Sequence, residues 1–214
     1  MKEIWIIGLG RFGQLAADRL ARIHPRHHLI LVDPDGEHLR QGKAVRRTLE
    51  QEDGVSFLDQ RLNPEKAPDW IVPALPVHLA AQWCLARLGK HGLRQIGIPA
   101  EIDSLVPHPV RDLPGQVYVS HADFICPDDC VEPAVICTVT RKKRKMDMFD
   151  LLERIRISGF LSLVVRSYQL APGVGGYRPR QLFDLLHGLE KCGKKYLVST
   201  ACRCHGVVTG LEYT

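Results

Sequence analysis

The chain has no long apolar run. Across its 214 residues nothing approaches the roughly 20 consecutive apolar residues of a membrane span, so membrane insertion is not expected. The N-terminus, MKEIWIIGLGRFG, lacks a small-residue cleavage site. Glycines interrupt its apolar stretch, so it reads as a first β-strand rather than a signal peptide. Neither sign of charge is in large excess. The net +5, from 29 Lys and Arg against 24 Asp and Glu, is below what a dedicated nucleic-acid binder carries, and nucleic acid is not an expected partner. These absences place the protein in the cytoplasm. Thiols stay reduced there, so disulfides are not expected, and clustered cysteines point to metal binding or redox work. What remains, 45% hydrophobic and 25% charged residues, is the composition of a globule able to bury a proper core.

The first half opens with a short apolar run, Ile4-Trp5-Ile6-Ile7, as a buried parallel strand should. Gly8-Leu9-Gly10-Arg11-Phe12-Gly13 follows at once. Phe12, Leu15, Ala16, Leu20 and Ile23 then fall at helical spacing on one face. A second apolar run, Leu29-Ile30-Leu31-Val32, ends in Asp33. In this strand, turn, helix, strand, acid order each part has a physical job. Gly8 permits the tight turn, Gly10 lets a pyrophosphate approach bare backbone, and Gly13 lets helix and strand pack closely. Arg11 and Phe12 sit within the turn and are read with it. The helix N-terminus offers free N–H groups to phosphate. Asp33 stands 20 residues after Gly13, where a carboxylate can accept from ribose hydroxyls and repel a 2′-phosphate. NAD(H) is therefore expected over NADP(H).

The alternation continues. AVRRTLEQ suggests a third strand, Asp69 to Pro76 a fourth ending in a loop, and Val77 to Leu88 a helix with Cys84 in the core. RQIGIP, near residues 95–99, suggests a fifth strand, and the proline-rich stretch 106–115 a linker. Ligands of such sheets sit at the carboxyl ends of strands. His78 lies at one of these ends. It is a weak catalytic candidate that would face a nicotinamide, the alternative being a histidine that caps or packs.

IWIIGLGRFGQLAADRL followed by LILVDPDGEHLR resembles the TrkA-N type of NAD-binding domain, over roughly residues 1–90. Such domains regulate potassium channels and transporters in the RCK group. The resemblance implies a Rossmann fold, with Gly8, Gly10, Gly13 and Asp33 on the dinucleotide. It also implies a membrane transporter or other protein as partner, and a homo-oligomer, commonly a dimer.

The second half carries no such resemblance. Shifted by 34 residues it matches itself, residues 148–177 over 182–211. Phe-Asp-Leu-Leu recurs at 149–152 and 183–186, Gly159 falls on Gly193, and Leu163-Val164 falls on Leu197-Val198. Each unit reads as helix, glycine break, strand and glycine-containing turn. Ala171 to Gly176 is a tight turn or an anion-binding nest.

CPDDCVEPAVIC spaces Cys126, Cys130 and Cys137 as C-x3-C-x6-C, stiffened by Pro127 and Pro133. Cys202, Cys204 and His205 follow far downstream. On an extended strand Cys202 and Cys204 would share a face. With His121 these make seven soft or borderline donors, against the four that a zinc ion or an iron–sulfur cluster takes. Cys-Pro favours a cluster. The mismatch between two-electron hydride and one-electron cluster, with no flavin site evident, leans toward structural zinc. The run Arg141 to Lys145 is a solvated segment or an anion patch.

The expectation is thus an α/β protein in two parts. Residues 1–118 form a Rossmann-type, doubly wound parallel sheet that binds NAD(H). Residues 119–214 form a second, smaller α/β domain with the internal repeat and a cysteine-rich metal site. The expected role is a regulator or sensor. An NAD-dependent oxidoreductase and a metal-dependent interaction module are the alternatives.

Overall fold

The computed structural model describes residues 1–111, 113–189 and 194–214. The repeat's glycine match at Gly193, and Cys192, lie outside the described residues. The chain is α/β, with one parallel sheet, one mixed sheet and a two-stranded hairpin.

The apolar runs at the N-terminus become the parallel sheet. Its strands are β1 (Glu3–Ile7), β2 (His28–Val32), β3 (Arg47–Glu50) and β4 (Trp70–Pro73), in the spatial order β3-β2-β1-β4. Helices α1 (Arg11–Ile23), α2 (Gly36–Gly42) and α3 (Gly54–Arg61) connect them. In register, Ile7 lies beside Val32 on one side and Pro73 on the other, so these strands end at one rim. The face of α1 is narrower than helical spacing suggests. Ala16, Ala17 and Leu20 are buried, whereas Phe12 and Ile23 are exposed. They sit in its first and last turns.

Helix α4 (Leu79–Leu88) leads to β5 (Leu93–Ile96), α5 (Ile102–Leu105) and β6 (Gln116–Ser120). Then come α6 (Met148–Glu153), β7 (Phe160–Arg166), the hairpin β8 (Tyr168–Ala171) and β9 (Val174–Gly176), α7 (Pro179–Leu189), β10 (Lys194–Ala201) and β11 (His205–Tyr213). The second sheet runs β5-β11-β10-β7, with β6 also on β11. The fifth strand therefore forms but does not join the parallel sheet. It pairs antiparallel with Gly210 to Tyr213, while β6 takes His205 to Thr209 of the same long strand. Both strands start before residue 119, so the mixed sheet draws on chain from either side of that position.

The repeat appears as α6-β7 and α7-β10, whose strands lie side by side and parallel. After its strand the first unit turns into the β8–β9 hairpin and the second into β11. One apolar cluster joins the two sheets. It holds Trp5 and Ile7 from the first and Tyr196, Val198 and Leu211 from the second, together with Phe57 of α3 and Trp83 and Cys84 of α4. Trp83 meets Phe183 of α7 edge to face at 6.0 Å. The hairpin is tied to β4 by a reciprocal pair, Ile71 N to Tyr177 O at 3.0 Å and Tyr177 N to Ile71 O at 2.9 Å. Among the described residues no helix is long and apolar enough to cross a membrane.

Candidate functional site

A cleft of about 510 Å³ opens at the carboxyl rim of the parallel sheet. The glycine turn forms one wall, and the loops after β2, β3 and β4 form the others. Gly8 has φ +93°, and a Cβ there would lie 2.7 Å from the Ala74 carbonyl oxygen. Only glycine meets both demands. Gly10 is the N-cap of α1, and nothing lies within 4 Å of where its Cβ would be, so its backbone stays bare toward the cleft. A Cβ on Gly13 would stand 2.1 Å from the Gly8 carbonyl oxygen. The first turn of α1 carries no acid, so nothing there offsets the positive end of its dipole.

Asp33 lies in the cleft wall but is buried. Its Oδ2 accepts from Leu9 N at 2.5 Å, and its Oδ1 from Asp35 N at 2.8 Å, with His38 Nδ1 at 3.3 Å. The carboxylate thus clamps the glycine turn to the end of β2. One of its roughly four lone-pair sites is left for a ligand. Two further acids share the lining, Asp35 and Asp53. Each is the N-cap of a helix: Asp35 accepts from Glu37 N at 2.8 Å and Asp53 from Ser56 N at 2.9 Å. Sequence reasoning passed over Asp35, His38, Asp53 and Gln82. The cap patterns DPDGEH and EDGVSF, taken with the rule that strand carboxyl ends converge, were the signal for the first three. Arg11 and Phe12 do not line the cleft. Arg11 points away to pair with Asp128 at 2.5 Å, and Phe12 is exposed. That ion pair is solvent-facing, so Arg11→Ala is expected to change stability by less than about 1 kcal/mol in a denaturant titration.

His78 is enclosed rather than offered to the cleft. Its Nδ1 lies 2.8 Å from Thr209 Oγ1 and its Nε2 2.8 Å from Thr200 Oγ1. A neutral imidazole donates from one nitrogen and accepts at the other, and each hydroxyl rotates to suit. Burial pulls its pKa down to about 3. It pins the start of α4 to β10 and β11.

The cysteines form a second site. A cavity of about 460 Å³ lies between the 121–147 loop and the turn joining β10 to β11, and Cys126, Cys130, Cys137, Cys204 and His121 line it. Cys202 and Cys204 do not share the face of a strand. Residues 202–204 are the hairpin turn, closed by Cys202 N to His205 O at 2.9 Å. The turn breaks the alternation, and of the two only Cys204 lines the cavity. Cys202 Sγ folds back onto the N–H groups of Cys204 and His205, 3.4 Å from each nitrogen. His205 reaches both groups, with Nε2 3.5 Å from Cys126 Sγ and Nδ1 3.9 Å from Cys202 Sγ. Among the described residues no three His, Cys, Asp or Glu side chains are grouped as one ion's ligands, so the six expected ligands do not converge on a point. Burial pushes the Cys202 thiol up to about 12 and Cys204 to about 11. Cys126 is raised by burial and then by Cys130 and Cys137, and Cys137 is lowered by hydrogen bonds to Thr140.

The basic run folds over this cavity. Lys142, Lys143, Arg144 and Lys145 are in its lining. The Arg144 side chain is largely covered, pairs with Asp147 at 2.8 Å, and donates to Cys204 Sγ at 2.9 Å. The glycine stretch after Ala171 is no anion nest. Gly173 N donates to Cys130 O at 2.9 Å, and a Cβ on Gly173 would be 1.6 Å from the Asp128 carbonyl oxygen. The hairpin is glycine there because the cysteine loop rests on it.

The family model AF_1314_C, described as "Uncharacterized protein, C-terminal domain", matches residues 80–214, which hold the cysteine site and every strand of the mixed sheet. A protein of Archaeoglobus fulgidus, described as an uncharacterized protein, is 30% identical over 226 residues, covering 97% of this chain and 98% of its own. That alignment spans the glycine turn as well. No solved structure matches the chain significantly. With its second half matched by the family model and its whole length by this relative, the chain belongs to the AF_1314_C family.

Proposed function

We propose that the protein is an NAD(H)-binding regulator or sensor of TrkA-N type. It would comprise a Rossmann-type sheet that binds the dinucleotide and a smaller α/β part with a cysteine-rich metal site. The observation that carries this reading is the bare Gly10 backbone at the N-terminus of α1, facing a cleft walled by the Asp33 carboxylate. Pyrophosphate fits the first feature and a ribose diol the second. The strand order β3-β2-β1-β4 is that of the first four strands of the dinucleotide fold. Three carboxylates in the lining disfavour a 2′-phosphate, which supports NAD(H) over NADP(H).

A sensing role is favoured over an oxidoreductase because His78, the acid–base candidate, has both nitrogens occupied and a pKa near 3. The proposed setting is the cytoplasm, and the proposed partner is a transporter or another protein that reads the nucleotide state.

The test is NADH binding to the whole chain, followed by calorimetry or by nucleotide fluorescence. Asp33→Asn keeps the size of the side chain while removing its charge. It is expected to weaken NADH about tenfold, the equivalent of one charge-assisted hydrogen bond, and to narrow the preference over NADPH. Equal affinities for both nucleotides before and after the change would remove the assignment.

A further inference from the structure

We infer that Cys126, Cys130, Cys137 and Cys204 ligate an iron–sulfur cluster, held between the 121–147 loop and the β10–β11 turn. The first argument is the donor set. Four thiols line one cavity, the number a cluster takes, while Cys202 is outside the lining and engaged by its own turn. The second is their spread. Zinc needs every sulfur about 2.3 Å from a single point, which sets the sulfurs about 3.8 Å apart. Here the four thiols are among the residues lining a cavity of about 460 Å³, and among the described residues no three donors are grouped around an ion. A cage of several iron and sulfide atoms bridges thiolates that one ion does not.

The third argument is charge. Thiolates on a cluster carry net negative charge, and Lys142, Lys143, Arg144 and Lys145 face the same space. Arg144 already places an N–H on Cys204 Sγ at 2.9 Å. Hydrogen bonds to cysteine sulfur are a chief lever on cluster potential.

The fourth is the loop itself. Residues 121–147 contain no helix or strand among the described elements, apart from one bridge between Ile136 and Lys143. None of its residues belongs to an apolar core cluster, and Ile125, Val131, Val135, Ile136 and Val139 are exposed. Structureless loops longer than about 15 residues are uncommon in compact domains unless functional. This one is nevertheless positioned by its backbone. Cys130 O accepts from Gly173 N at 2.9 Å and Gln169 Nε2 at 2.6 Å, Asp128 O from Arg19 at 2.5 Å, and Cys137 N donates to Lys142 O at 3.0 Å. Polar pins, rather than burial, hold the loop whose three thiols line the cavity with Cys204.

The inference does not rest on the dinucleotide reading, and its test contains no nucleotide. The full chain is produced and purified without oxygen, and its iron, acid-labile sulfide and zinc are measured alongside the visible spectrum. Iron and sulfide in equal amounts, with a brown colour that bleaches on chelation, are expected. Serine at Cys126, Cys130, Cys137 or Cys204 should lower iron content at least tenfold, and serine at Cys202 should leave it unchanged. Should a variant not fold, alkylation of the wild-type protein maps the same ligands. The four thiols are expected to be protected in the iron-loaded protein and modified after chelation, with Cys202 indifferent to loading. About one zinc per chain without sulfide, metal-free protein, or protection of Cys202 in place of Cys204 would each overturn the proposal.

Discussion

His78→Gln is expected to flatten the acid limb of the stability curve. In the folded chain His78 is buried between Thr200 and Thr209 and does not take up a proton until about pH 3. In the unfolded chain it protonates near 6.5. Between those values the unfolded state binds the extra proton, so stability falls as the pH falls. The slope is about 1.4 kcal/mol per pH unit, and the sum is about 5 kcal/mol by pH 3. Glutamine does not titrate and keeps an amide for the hydroxyls. At pH 7.5 the variant should be about 1–3 kcal/mol less stable, the penalty for imperfectly paired buried hydroxyls. Its deficit should shrink as the pH is lowered to 4 and then reverse. Carboxylates and other histidines contribute equally to both proteins, so the difference between the two curves isolates His78. Denaturant midpoints at four or five pH values supply it, and two parallel curves would show that His78 does not carry the acid sensitivity.

The second large effect separates two glycines of one motif. Gly13→Ala puts a Cβ 2.1 Å from the Gly8 carbonyl oxygen, a backbone atom that is itself held by the turn. The chain must open the first turn of α1 to accept it. An expected loss is about 3 kcal/mol or more, the upper end for overpacking. Gly10→Ala meets nothing within 4 Å, and Gly10 has φ −64°, which alanine adopts freely. Its stability should change by less than about 0.5 kcal/mol or rise slightly. Its NADH affinity should nevertheless fall at least tenfold, because the methyl group occupies the approach of the pyrophosphate. Denaturation with an unchanged slope, together with nucleotide titration, reads both quantities. Equal stability losses at the two positions would mean that the turn is not packed as described. Intact NADH binding by the Gly10 variant would mean that phosphate does not lie there.

The two halves of the chain were legible to different degrees. In the first, the turn glycines and the positions of four strands along the chain are short-range matters of apolar runs and backbone freedom, and these could be read directly; their order in the sheet is tertiary. Asp33 was placed correctly at the end of β2, but its carboxylate turned out to serve the turn as well as the cleft, accepting from Leu9 N across 24 residues of chain. In the second half the helix-strand repeat was visible in Phe-Asp-Leu-Leu and became two parallel neighbours, β7 and β10. The strand near residues 95–99 was visible as well, but not its sheet. Either sheet could take a strand of four residues, and the choice fell to the edge of β11, residues 210–213.

The cysteines show where local reading stops. By themselves the residues specified that three thiols share one loop and that two more, with a histidine, follow far downstream. They also specified a glycine turn leading into a helix, since a positive φ and a 3.6-residue period are properties of a few adjacent residues. Tertiary structure decided that Cys204 and not Cys202 lines the cavity with the loop cysteines, because the chain turns at 202–204 to pair β10 with β11. It also decided that His78 is a buried brace. Contacts between residues more than a hundred positions apart depend on which buried polar groups find partners, and no spacing in the chain records that.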